Sequence, residues 1–359
     1  MDCLRPVLVR NPVFKSKRWR VDSEYRELHK DEPTVVERPC GKCLNCRKRY
    51  QNEWAFRLQA ESAYYPSRTF FATMTYDDAH LHTNYHVTLS DVQHRILVET
   101  GDWSLVRSEF PALIRNKAFP CSNSHQAEIR SSCITLDKKV VDDFFKRLRK
   151  SGLIFSYFVC GEYGDKFARP HYHIIFYTKD PFTYEEFQKR ITPYWPYGDP
   201  LEQKVDSINS FIDGIPVCKY VAKYCTKQVG VDYKDAQVPF ALMSRRPAIG
   251  SKFLNLSQYR QLRENDSFLV YDKAGTPYSL PRYFRNKVFS ESERKRLSDQ
   301  TLALLEQKDL LQARLQGIDL DLFRSRRMAH NRYLEKSYFD KLKLQRFGYD
   351  FELCSKTEI

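Results

Sequence analysis

Two hydrophobic periods run through the middle of this chain. Between Asp137 and Lys150 the apolar residues Val140, Val141, Phe144, Phe145 and Leu148 recur at helical spacing. Asp137 can cap the first turn and Ser151-Gly152 closes the run. Leu153–Glu162 and His171–Thr178 instead concentrate aromatic and β-branched residues around the turn-prone stretch Gly164–Pro170, which predicts a hairpin. Arg68–Tyr76 predicts another strand, ended by Asp77-Asp78. Further helices are expected over 45–61, over Thr183–Tyr194 with Pro196 beyond its end, and over Pro216–Gln228, ending near Gly230. Leu201–Ile208 alternates weakly, as an edge strand would. Strand, helix, hairpin, helix, strand, helix is an α+β order, and it fits a central antiparallel sheet with helices on one side. Residues 77–136 hold scattered polar residues and short apolar runs, and read as an insertion. Ser290–Gln316 is a charged, leucine-containing helical segment, after which the chain stays basic and aromatic.

Charge changes the picture from fold to partner. The 359 residues carry a formal net charge of +14, which favours polyanionic partners. The 23 tyrosines and 24 phenylalanines suit stacking on single-stranded bases, although most aromatics in any protein are core. The N-terminus lacks the apolar run of a secretory signal, and no segment reaches membrane-spanning length. The expectation is a soluble, intracellular protein with no membrane partner, whose ten cysteines are thiols or metal ligands rather than disulfides.

Three constellations carry chemistry. In a strand, His171 and His173 share a face while Tyr172 points the other way. Glu162, at the end of the preceding strand, can stand opposite them across a hairpin. Two imidazoles and a carboxylate suit Mn²⁺ or Mg²⁺, and ligand type alone also admits zinc. In a helix, Tyr220 and Tyr224 lie one turn apart, about 6 Å along the axis, with Lys223 and Lys227 near the same face. A phenol is a weak nucleophile at neutral pH. A metal-bound phosphate lowers that demand, and lysines stabilise developing phenolate. The third constellation is Cys40, Cys43 and Cys46, a C-x₂-C-x₂-C run that Cys3 could complete as a tetrahedral zinc site, with an iron–sulfur cluster as competitor. The following Arg47, Lys48 and Arg49 read equally as phosphate contacts or as a solvated basic turn. Cys121, Cys133, Cys160, Cys218 and Cys354 read as ordinary thiols, and His80, His82 and His86 as surface residues.

At this point the chain resembles a known family. Phe70-Phe71-Ala72-Thr73-Met74-Thr75-Tyr76, Arg169-Pro170-His171-Tyr172-His173 and Tyr220-Val221-Ala222-Lys223-Tyr224-Cys225-Thr226-Lys227 stand in the order of the three motifs of rolling-circle replication initiators, the HUH endonucleases. The likeness is greatest to the two-tyrosine initiators of microviruses, the small single-stranded DNA phages, and among them to the gokushovirus type. Segments 39–46, 52–58 and 243–250 share in it, so that it covers roughly residues 1–255. Residues 77–136 are longer than a minimal core needs, and Cys225 stands where an aliphatic residue is expected.

The resemblance implies a ferredoxin-like core over 66–255, preceded by a Cys-rich element (1–65) and followed by a partly helical basic extension (256–359). It implies Tyr220 and Tyr224 as nucleophiles, assisted by Lys223 and Lys227, with His171, His173 and Glu162 as ligands of Mg²⁺ or Mn²⁺. Tyr76 and Arg169, with Arg47, Lys48 and Arg49, are expected at the DNA. The implied activity is origin nicking and joining in the cytoplasm of a bacterial host. A host polymerase extends the 3′ end, and a host helicase is implied because the chain holds no P-loop motif. A related transposase or plasmid initiator shares this chemistry, and a non-catalytic packaging factor shares only the charge.

Overall fold

The period-two segments form a five-stranded sheet in which every neighbouring pair is antiparallel. Its strands are β1 (Thr69–Met74), β2 (Phe155–Tyr163), β3 (Pro170–Thr178), β4 (Val205–Ser207) and β5 (Phe240–Met243), in spatial order β5-β2-β3-β1-β4. The computed structural model describes residues 3–65, 67–77, 80–104, 108, 118–124, 128–164, 169–198, 205–207, 216–224, 236–255, 257–271 and 277–347. Helix α1 (Lys138–Lys150) connects β1 to β2 in the chain, and α2 (Tyr184–Ile191) connects β3 to β4. A third helix, α3 (Pro216–Tyr224), follows β4.

The local chemistry is the one the sequence advertises. Asp137 accepts the Lys139 N–H at the head of α1, and Arg147, Arg149 and Lys150 sit in its last turn, where cations complement the helix dipole. Thr183 and Glu186 form a reciprocal capping box on α2. The helix expected to run to Tyr194 ends at Ile191 and tightens into a 3₁₀ turn over Thr192–Tyr194. Pro193 explains this, since the residue before a proline is pushed out of the α region.

Alternation sorts the sheet residues onto two faces. Phe70, Ala72 and Met74 of β1, Val159 of β2 and Tyr172, Ile174 and Phe176 of β3 are buried in one core with Val141, Phe144 and Phe145 of α1 and Phe187 and Ile191 of α2. Phe70 stacks on Phe187 at a centroid distance of 4.2 Å. The opposite face carries Phe71, Thr73, Cys160, Glu162, His171 and His173. Helix α3 packs there, with the Cys160 thiol donating to the Val221 carbonyl at 3.6 Å. This corrects the expectation of helices on one side only. The apolar face is filled by α1 and α2, so the third helix must cover the polar one.

The insertion has a fold of its own. Thr83–Ser90 lies between Ala118–Ser124 and Glu128–Ile134 in a three-stranded sheet. Helix Asp91–Thr100 follows, entered through a Ser90–Gln93 capping box and left through Gly101 at φ +67°.

Met1–Glu61 and Gly250–Leu342 cluster as one compact unit, and Ser62–Ile249 belongs to a second. The Cys-rich and C-terminal segments, read from sequence as separate, therefore share a unit. In it, Ala60 is buried with Phe253, Leu262, Phe268, Leu280, Phe284 and Leu297. Glu61 accepts the Gly250 N–H at 2.6 Å, and Gly250 adopts φ +81° where a Cβ would lie 3.1 Å from the Arg57 carbonyl. The unit also holds helices Leu44–Tyr64, Glu291–Leu315 and Leu320–Phe347. The last was not read from sequence, because its charges recur on every side and leave no clean apolar stripe.

Phe144 is fully buried against Phe145, Phe176 and Trp195, so Phe144→Ala should cost about 3–5 kcal/mol of unfolding free energy in urea titrations. A loss below about 1 kcal/mol would contradict this core.

Candidate active site

The hairpin register sets the centre. Glu162 is the cross-strand partner of His171, and Cys160 that of His173. On the other side Thr73 pairs with His173. Glu162, His171 and His173 thus meet on one face, each offering an atom within 4.8 Å of the others. Glu162 is 2% exposed and His173 is buried beside it. The Nε2 atoms of His171 and His173 lie 2.9 and 3.0 Å from the same oxygen, Glu162 Oε1.

Outer contacts fix what those nitrogens present. His171 Nδ1 is 3.1 Å from the Arg169 carbonyl, which can only accept, so Nδ1 carries the proton and Nε2 keeps its lone pair. Thr73 Oγ1 lies 3.2 Å from His173 Nδ1 and can accept its N–H, the tautomer that likewise frees Nε2. Two nitrogen lone pairs then face one carboxylate oxygen. A proton relieves one of these contacts, whereas a cation relieves both. The spacing matches the ligand–ligand edge of about 3.0 Å in an octahedron with 2.0–2.1 Å bonds. The donor set therefore fits a hard divalent cation.

The tyrosine helix closes over this centre. The Tyr224 ring stacks on His173 at 4.2 Å and 17°, and the Tyr220 ring stands 5.8 Å from it at 75°. The two tyrosine rings are 4.8 Å apart, the one-turn neighbours that the i, i+4 spacing requires. Their surroundings differ: Tyr224 is 9% exposed and Tyr220 45%. Lys223 is exposed on the same helix. Lys227 lies outside the described residues.

Sequence reasoning missed three contributors. Phe71 stacks on His173 at 11° and meets Tyr220 edge-on at 6.2 Å. Thr73 holds the second histidine, and Cys160, read as an ordinary thiol, bonds the backbone of α3. The signal was present for the first two, since alternation in 69–74 puts Phe71 and Thr73 opposite the core residues.

Other expected residues are elsewhere. Tyr76 is corrected from DNA contact to core: it is 2% exposed, and its hydroxyl is 2.8 Å from that of Tyr172, which also accepts the Asp137 N–H. Burial raises both phenols well above the ordinary tyrosine range. Arg169 donates to the Tyr76 carbonyl at 2.7 Å and so braces the hairpin loop. Arg47 is corrected too, being 2% exposed within helix Leu44–Tyr64, while Lys48 and Arg49 are exposed. His80 pairs with Asp77 and His82 with Asp137. The His86 side chain and the Cys225 region lie outside the described residues. Cys3, Cys40, Cys43 and Cys46 form the second ligand group among the described residues.

Residues 127–229 match the family model of the Replication-associated protein ORF2. That span contains Glu162, both histidines and both tyrosines. The chain is also similar to the Replication-associated protein ORF2 of Spiroplasma virus 4, 27% identical over 81% of each chain. A second relative is the Replication-associated protein VP4 of Bdellovibrio phage phiMH2K, 24% identical over 79% of this chain and 78% of that one. No solved structure matches. No described helix is long and apolar enough to cross a membrane.

Thr73→Val keeps the shape of the side chain and removes the acceptor for His173 Nδ1. It should weaken Mn²⁺ binding about 10–100-fold in calorimetric titration, and unchanged affinity would remove Thr73 from the site. Tyr76→Phe leaves a buried hydroxyl partner behind. It should cost about 1–3 kcal/mol of stability while leaving affinity for single-stranded DNA unchanged in fluorescence anisotropy; a selective loss of DNA affinity would restore the DNA-contact reading.

Proposed function

We propose that this protein initiates rolling-circle replication by metal-dependent nicking of an origin, and that it is the initiator of a microvirus of the gokushovirus type. The observation that carries this reading is the packing of Tyr220 and Tyr224 directly over the Glu162, His171 and His173 centre. The likeness to two phage or virus replication-associated proteins supports it. The order β1-α1-β2-β3-α2-β4 is the βαββαβ of a ferredoxin-like core, with β5 added at the edge beside β2.

Glu162, His171 and His173 would hold Mg²⁺ or Mn²⁺, which supplies positive charge to the non-bridging oxygens of the scissile phosphate. Oη of one tyrosine attacks phosphorus. The tyrosine O–P bond forms and the P–O3′ bond breaks. The phenolic proton is lost and one is gained by the departing oxygen, leaving a 5′-phosphotyrosine and a free 3′-OH. Lys223 and Lys227 stabilise developing phenolate. Because the phosphodiester is conserved rather than hydrolysed, a 3′-OH can later displace the tyrosine. The second tyrosine cuts the regenerated junction while the first remains loaded, and rejoining releases a circle. Host helicase and polymerase supply strand displacement and extension in the cytoplasm of the bacterial host.

The test is denaturing electrophoresis of the protein with an origin oligonucleotide and Mn²⁺. A covalent adduct should form, persist at unequal rates in Tyr220→Phe and Tyr224→Phe, and vanish in the double variant. An adduct that survives in the double variant would sink the assignment.

A further inference from the structure

We propose that Cys3, Cys40, Cys43 and Cys46 hold a structural zinc ion, and that this centre latches helix Leu320–Phe347 onto the N-terminal segment. This centre lies outside the nicking site. The four sulfurs lie within 4.8 Å of one another. The Cys3–Cys43 separation is 3.9 Å, close to the edge of about 3.8 Å in a tetrahedron with 2.3 Å Zn–S bonds. Backbone N–H groups point at three of the sulfurs: Cys40 N to Cys3 Sγ at 3.2 Å, Cys43 N to Cys40 Sγ at 3.3 Å and Leu4 N to Cys43 Sγ at 3.4 Å. Such donors favour thiolate over thiol. Gly41, at φ +73°, gives the turn between Cys40 and Cys43 a left-handed residue. Cys3, from the far end of the segment, completes a set that the seven-residue run alone cannot close.

The latch is a set of contacts that start at the cysteine knuckle. Helix Leu44–Tyr64 begins directly after Cys43, and its first N–H, from Leu44, donates to Glu335 Oε1 at 2.9 Å. The same oxygen receives Arg5, two residues past Cys3, at 2.8 Å. Glu335 is 7% exposed, so both strands of the centre converge on one buried carboxylate. Met328 packs against the cluster. One turn into the helix, the Arg47 guanidinium lies 5.3 and 5.8 Å from the ring centroids of Tyr338 and Phe339. Arg47 Nε and Nη1 are buried with no hydrogen-bond partner, a costly state for a cation. Four thiolates and Zn²⁺ sum to a charge of −2 one turn away, which offsets that cost. Residues 328–339 are thus tied to the knuckle through a carboxylate, a thioether and two rings, while Arg326, Arg332, Tyr333 and Lys336 of the same helix remain exposed. Loss of the ion leaves the knuckle with no fixed geometry and frees the helix.

The experiment uses the full chain, with metal content by mass spectrometry and limited trypsin digestion as readouts. One tightly held zinc is expected, retained in a His171→Ala, His173→Ala variant and lost in Cys43→Ser. Cobalt exchange should give the intense visible bands of a tetrahedral thiolate site in the otherwise unaltered chain. Stripping the zinc with a mercurial and chelator should speed cleavage after Arg326, Arg332 and Lys336 about tenfold. Glu335→Ala should speed it similarly with zinc still bound, which separates the latch from the metal. Bound iron with a cluster spectrum, or no metal, would overturn the zinc assignment. Unchanged trypsin resistance after zinc removal, or in Glu335→Ala, would overturn the latch.

Discussion

One rung of the β2–β3 hairpin, the pairing of Glu162 with His171, decides where the chemistry can be. Side chains alternate across a strand, so a slip of a single residue would turn Glu162, His171 and His173 into the apolar core and expel Tyr163, Tyr172 and Ile174. The register is held from the apolar side. Phe70, Ile174 and Phe176 are fully buried beneath α1 and α2, and moving them to the polar face would forfeit several buried side chains at roughly 1.5–3 kcal/mol each. The large hydrophobic core thus fixes a small polar site that could not hold its own geometry.

That site is unfavourable as a purely organic arrangement. Glu162 is buried, and two imidazole nitrogens crowd one of its oxygens. Burying a carboxylate among lone pairs is costly unless positive charge enters with it. The Arg169 carbonyl at His171 Nδ1 and the Thr73 hydroxyl at His173 Nδ1 sustain the orientation that makes the crowding worst, which is the orientation a cation needs. Order of this kind is explained by a ligand, not by self-stability.

The legible parts of the fold were those in which one residue type has one physical meaning. His-x-His within an aromatic, β-branched run could only share a face if the run was a strand, and Asp137 before an amphipathic stretch could only cap α1 usefully. Tyr-x-x-x-Tyr gave the one-turn neighbours found in α3. Tyr76 and Arg47 were misplaced because a tyrosine or arginine beside a motif has the same letter whether it faces solvent or core. Only tertiary packing against Tyr172 and against Tyr338 decides that. The joining of Cys3 to Cys43 and of Glu335 to Leu44 is a contact across the whole chain, which periodicity cannot register.

The tyrosines show how far environment separates identical groups. Tyr76 and Tyr172 share a hydrogen bond beneath the sheet, and burial holds both as neutral phenols far into alkaline conditions. Tyr220, half exposed on α3, keeps access to solvent and to any incoming phosphate. A nucleophilic phenol must be able to lose its proton as it attacks, so desolvation without a counter-charge disqualifies the core pair. Helix α3 avoids that fate by packing on the polar face. There its tyrosines meet the imidazoles and its lysine, where a cation and a phosphate could share the charge. Covering the polar face with the helix that carries the nucleophiles is therefore what converts a conserved-energy transfer from a sequence pattern into an arrangement of reacting groups.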